Sequence, residues 1–135
     1  MTWIAKRPKI LLFNGPDTDS NGLRDILARH TELTSVRSAD ELFRKLVRDE
    51  FDAFLCDWNV SEGKWREVCQ QVMSKVPEMP VIAVCRTAGE QEWVEALKAG
   101  CFDILGAPYE ESSVLSILEH AFASHEGVLS HRRVA

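Results

Sequence analysis

Phe51-Asp52-Ala53-Phe54-Leu55-Cys56-Asp57-Trp58-Asn59 is the stretch whose reading decides the fold. Its apolar centre is short and continuous, the pattern of a buried strand, and a carboxylate, Asp57, stands at its C-terminal end. Upstream, Ser38 with Glu41 three residues later can satisfy each other's free backbone donors. This pair opens a helix that carries Leu42, Phe43 and Leu46 inward and ends near Asp49. Downstream, Trp65 to Lys75 predicts a helix and Val81 to Val84 a buried strand. Glu90 to Ala99 predicts a further helix closed by Gly100, which tolerates a left-handed cap.

The same rhythm continues to both ends. Lys9 to Phe13 is an apolar strand stopped by Asn14-Gly15-Pro16, a run suited to turns. Thr18 to His30 places Leu23, Ile26 and Leu27 at helical spacing, and Leu33 to Val36 is a weak strand. Phe102 to Leu105 is the fifth strand. The last helix runs from about Glu110 to Ser124 with Val114, Leu115, Leu118 and Phe122 on its stripe. Strands alternating with helices predict an α/β fold, one doubly wound five-stranded parallel sheet with right-handed crossovers and helices on both faces. Function in such folds collects at the carboxyl ends of the strands. The segments to inspect are therefore Asn14 to Asp19, Asp57 to Gly63, Cys85 to Gly89 and Gly106 to Tyr109.

Composition narrows the function classes. The 135 residues suit one domain, expected over 1–126, with 127–135 a flexible tail or the start of a linker to an output domain. Sixteen Lys and Arg against twenty-one Asp and Glu leave a net charge of −5 without a basic stripe, which argues against nucleic-acid binding by this domain. No apolar stretch suits a signal peptide or a membrane span, so a cytoplasmic protein without membrane contact is expected. Cys56, Cys69, Cys85 and Cys101 form no CxxC pair and are expected as buried free thiols. The four histidines match no metal spacing.

The Asp57 segment resembles the phosphoacceptor segment of two-component receiver domains. Pro80-Val81-Ile82-Ala83-Val84 is similar to that family's fourth strand, Ala96 to Asp103 to its helix-four exit, and Ala107-Pro108-Tyr109 to its Lys-Pro-aromatic turn. The likeness spans about Lys9 to Ser124 and implies a flavodoxin-like (βα)5 sheet of order 2-1-3-4-5. In the family an aspartate ending strand three accepts a phosphoryl group. Two acidic residues after strand one hold Mg²⁺, a hydroxyl ends strand four and a lysine ends strand five. By this resemblance Asp57 is the acceptor, and Asn59 lies where a backbone carbonyl reaches the metal. The other positions depart: Asn14 and Gly15 replace the acidic pair, Cys85 the hydroxyl and Ala107 the lysine.

A phosphoryl group on Asp57 brings about −2 charge. Each missing unit charge near 4 Å is worth roughly 4 kcal/mol at an effective dielectric of about 20. Slow or absent phosphotransfer is therefore expected, with Mg²⁺ weak or absent, Asp57 and Asn59 its only contacts, and no other cofactor. Asp17 or Asp19 folding back and Arg86 replacing the lysine are the conceivable rescues. Helix capping and a solvent-facing arginine are the plainer readings. Cys85 reads as a small apolar replacement rather than a redox sensor.

The leading expectation is a non-enzymatic signalling module with a degraded phosphorylation site. It would act through the face of helix four, strand five and helix five, which the family uses for output domains, protein partners, a histidine kinase or a second copy. Trp93, Ile104 and Tyr109 are the candidate partner-surface residues, and Ile104 replaces the family's switch aromatic. Two readings compete. One is a conventional response regulator phosphorylated on Asp57. The other is a flavodoxin-type cofactor binder built on the polar loop Asn14 to Gly22, where Asp17 and Asp19 would repel an anion.

Overall fold

The computed structural model describes residues 7–15 and 22–134, with side chains in the last helix up to Ser124. Among these residues the strands are β1 (Lys9–Phe13), β2 (Glu32–Val36), β3 (Ala53–Asp57), β4 (Val81–Val84) and β5 (Asp103–Leu105). The helices are α1 (Leu23–His30), α2 (Ala39–Arg48), α3 (Trp65–Lys75), α4 (Glu90–Lys98) and α5 (Glu111–Val134), with a short 3-10 turn over Val60–Gly63. All strand pairs are parallel and the order is β2-β1-β3-β4-β5. This is the doubly wound, flavodoxin-like sheet that the sequence predicts.

Side-chain alternation along each strand divides the interior into two layers. Leu11, Phe13, Phe54, Cys56, Val81, Ala83 and Ile104 face one way, onto Leu42 of α2, Trp65, Val68, Cys69 and Val72 of α3, and Ala96 of α4. Ile10, Leu12, Ala53, Leu55, Ile82, Val84 and Leu105 face the other way, onto α1 (Leu23, Ile26, Leu27) and α5 (Val114, Leu118, Ala121, Phe122). β3 lies between β1 and β4, and every one of its residues is buried. Because strands of a parallel sheet all point one way, the ends of β1, β3, β4 and β5 gather at one edge. The turn residues at that edge become neighbours.

The local signals act largely as read, although the Glu41 side chain caps the Arg37 N–H and not that of Ser38. The Glu41 N–H donates to Ser38 Oγ at 3.2 Å and the Arg37 N–H to Glu41 Oε1 at 3.1 Å, opening α2. Gly100 follows α4 at φ 97°, where a Cβ would lie 2.9 Å from Met73 Sδ, so both conformation and space call for glycine. Most boundaries shift by one residue at most, and two differ further. The described part of the first helix starts at Leu23, with residues 16–21 outside the described set. The last helix continues to Val134 instead of ending at Ser124. Loss of an apolar stripe removes packing but supplies no terminator, and the only break-prone residue there is Gly127. No helix among the described residues is long and apolar enough to cross a membrane.

Candidate functional site

Asp57, at the end of the central strand, is fully buried. A carboxylate in that position needs hydrogen-bond donors. The Asn59 backbone N–H donates to Asp57 Oδ1 at 2.9 Å, closing a short turn on the carboxylate's own loop. The other face of the group meets Gly15. A Cβ on Gly15 would lie 2.7 Å from Asp57 Cγ and 2.8 Å from Oδ2, closer than real Cβ contacts come. The Asp57 carboxylate thus occupies the volume that a side chain at position 15 would require. The adjoining backbone is pinned as well, since Trp58 N–H donates to the Val84 carbonyl at 2.8 Å.

The remaining site positions sit on the same edge. Asn14 is buried, and its N–H donates to the Val36 carbonyl at 2.8 Å. Cys85 is buried, and its N–H donates to the Leu105 carbonyl at 2.9 Å. Its Sγ lies 3.9 Å from Thr87 Oγ1. Thr87 is a hydroxyl near position 85 that sequence reading passed over, although it stands only two residues further on. Ala107 N–H donates to the Arg86 carbonyl at 3.3 Å, and the Ala107–Pro108 peptide is cis. Arg86 is exposed, while Asp17 and Asp19 lie outside the described residues. Among the described residues no group of three or more His, Cys, Asp or Glu side chains could hold a metal ion.

Asp57's loop is linked to the helices by contacts that sequence reading missed. Trp58 stacks on buried Trp65 with ring centroids 4.0 Å apart. The Arg66 guanidinium lies 5.3 Å from the Trp65 ring and binds Glu95 of α4 at 2.9 Å. Between these, Ser61 and Glu62 take left-handed φ of 50° and 57°, unusual for residues with a Cβ. Only the adjacent Gly63 hinted at such a turn. Elsewhere Glu111 accepts from Arg29 Nη2 at 2.8 Å and meets His30 Nε2 at 3.0 Å, joining α5 to α1. Arg29, and then His30, hold the Glu111 carboxyl below its ordinary range.

All four cysteines are free and buried, as expected. Cys101 is pushed up by its bond with Cys69 and by burial. At Cys69 the bond with Cys101 pulls downward but is outweighed by Cys56 and burial, so these thiols stay protonated.

On the expected partner face, Trp93 is 45% exposed, with Val94 at 37% and Leu97 at 38% beside it. Ile104 corrects the expectation. It is only 8% exposed, because β5's alternation turns it into the layer beneath α4, so it lies in the core and not on a partner surface. Tyr109 is half-buried and packs against the α1 and α5 layer.

The response regulator receiver domain family matches residues 18–119. The response regulator protein PilR of Pseudomonas aeruginosa is 30% identical over 76 residues, 56% of this chain and 17% of that protein. The response regulator protein FleR of the same organism is 25% identical over 122 residues, 88% of this chain and 26% of that protein. The chain therefore spans about a quarter or less of the length of these relatives. A CheY-like response regulator receiver domain from Methanospirillum hungatei superposes with a TM-score of 0.75 at 20% identity, covering 90% of this chain and 98% of that one. The strand order, the buried aspartate ending the central strand and the family match together place this chain in the response regulator receiver domain family.

Proposed function

We propose that this receiver domain has a degraded phosphorylation site and works as a constitutive protein-interaction module of two-component signalling, presenting the α4–β5–α5 face to a protein partner or output domain. The observation that carries the reading is the contact between Gly15 and the Asp57 carboxylate. The family places an acidic metal ligand at position 15, and here the acceptor carboxylate itself fills that space. Mg²⁺ usually keeps one or two carboxylates and demands near-octahedral geometry. Asp57 with the neutral amide of Asn14 is a poor donor set, so the residues present do not fit the ion. Without that ion, and with alanine at position 107, the charge of a phosphoryl group loses the two cations that the family sets against it. Asp57 then serves as a structural carboxylate of the β3–α3 turn. With isoleucine, buried in the core, at the family's switch position, a two-state readout through a polar ring is lost as well.

One observation favours the second reading, a conventional phosphorylated regulator. Asp57 is retained where the acceptor belongs, with the Thr87 hydroxyl close to position 85. Incubation with acetyl phosphate or beryllofluoride and Mg²⁺, followed by intact mass and Trp58 fluorescence, separates the two. The expected result is no adduct and no Mg²⁺-dependent fluorescence change. A stable adduct on Asp57 would establish the conventional regulator.

A further inference from the structure

We propose that the outward face of α4 receives a basic amphipathic helix of a partner protein, with apolar side chains on Trp93, Val94 and Leu97 and a lysine or arginine on Glu90. The proposal rests on the reading of this face as partner-facing and adds the chemistry of what covers it.

Glu90, Trp93, Val94 and Leu97 stand at positions i, i+3, i+4 and i+7, which is one face of a helix. The opposite side carries Ala96, fully buried against the sheet, followed by buried Ala99. The exposed stripe spans about two turns, and it holds a partly exposed tryptophan of the kind that anchors interfaces. A helix with the same apolar spacing can cover it.

Charge selects which helix. α4 carries Glu90, Glu92 and Glu95 against a single base, Lys98. Glu95 is engaged by Arg66 at 2.9 Å, and Glu92 Oε1 accepts the Gly89 N–H at 2.8 Å, closing the helix N-terminus. Glu90 lies on the apolar face itself, and Lys98 is about 12 Å further along the axis, too far to neutralise it. Covering a carboxylate without a counter-charge is unfavourable, so whatever buries the stripe must bring a cation to that end. A second copy would bring the same excess of three glutamates over one lysine to the contact, which disfavours self-pairing. The Arg66–Glu95 bridge joins α4 to α3 beside this face.

The test uses the full chain and two fluorescein-labelled helical peptides that share one leucine stripe, with lysines flanking it in the first and glutamates in the second. Fluorescence anisotropy should show the lysine peptide binding about ten-fold or more tightly than the glutamate peptide, with affinity falling as NaCl is added. Trp93→Ala should weaken that binding about ten-fold, and Glu90→Lys should reverse the peptide preference. Both positions are exposed, and circular dichroism checks that the variants fold. Equal binding of the two peptides with continued dependence on Trp93 would overturn the basic-partner proposal and leave the α4 face standing. Binding that ignores Trp93, or no binding of either peptide, would remove the face and the proposal together. A dimer in sedimentation that Trp93→Ala converts to monomer would make a second copy the occupant and overturn the proposal.

Discussion

Asp57, a carboxylate, is fully buried, whereas Trp93, the bulkiest kind of apolar side chain, is 45% exposed. The surroundings of the two residues explain the inversion. At the strand edge the chain provides for its buried carboxyl group from within: the Asn59 amide donates to it, and Gly15 leaves the room it fills. On α4 the described residues leave Trp93, Val94 and Leu97 as a partly exposed apolar stripe. A receiver needs the first region open to a phosphoryl donor and an ion, and the second able to respond. In this chain the Asp57 carboxylate crowds Gly15 in the first region, and Arg66 bridges α3 to Glu95 of α4 in the second.

The comparison can be broken most sharply at Gly15. Replacing it with alanine puts a Cβ within 2.7 Å of Asp57 Cγ, and overpacking of that kind costs about 1–3 kcal/mol. Urea unfolding of Gly15→Ala should show that loss. In an Asp57→Ala background it should shrink towards zero, since the double-mutant cycle removes the group that Cβ meets. An equal loss in both backgrounds would mean that the carboxylate does not close the site.

A smaller effect sharpens the other half. The Arg66–Glu95 pair is roughly half exposed on both sides, so its coupling energy should be about 0.2–1 kcal/mol by a double-mutant cycle. Hydrogen exchange should nevertheless show faster opening of α4 amides in Glu95→Ala, with α2 unchanged. No change in α4 would leave the fixed-face description without its tether.

The smallest effect concerns the contact between α1 and α5, outside both regions. Arg29 and His30 lower the Glu111 pKa in the folded chain, so the bound carboxylate contributes stability above the ordinary glutamate range and loses it as pH falls through the depressed folded value. Thermal unfolding of Glu111→Gln should therefore fall below that of the parent at neutral pH and converge with it in acid. Added salt should narrow the neutral-pH gap, because the group is exposed. A gap that persists in acid would assign the difference to something other than the carboxylate's charge.

Much of this architecture is legible in the order of residues. The stretch 53–57 reads as a buried strand and is one, the Ser38 side chain caps α2, and Gly100 takes the left-handed turn after α4. The site was legible as a set of substitutions: Asn14, Gly15, Cys85 and Ala107 stand where a resemblance placed acids, a hydroxyl and a lysine. What those substitutions do was not legible. That Gly15 yields its space to Asp57 depends on how the ends of β1 and β3 approach each other. The sequence alone points Ile104 to a surface, because position does not say which side of a short strand a helix covers.

Strand and helix identities follow from the order of residues because hydrophobic period, caps and turn chemistry act between residues a few places apart. The contacts that give this chain its particular character join distant residues: Gly15 with Asp57, Arg66 with Glu95, and Glu111 with Arg29 and His30. Only the folded sheet brings such pairs within reach. Whether a neighbour supplies a donor, a cation or merely empty space is settled there by packing at close range, and no local pattern encodes it.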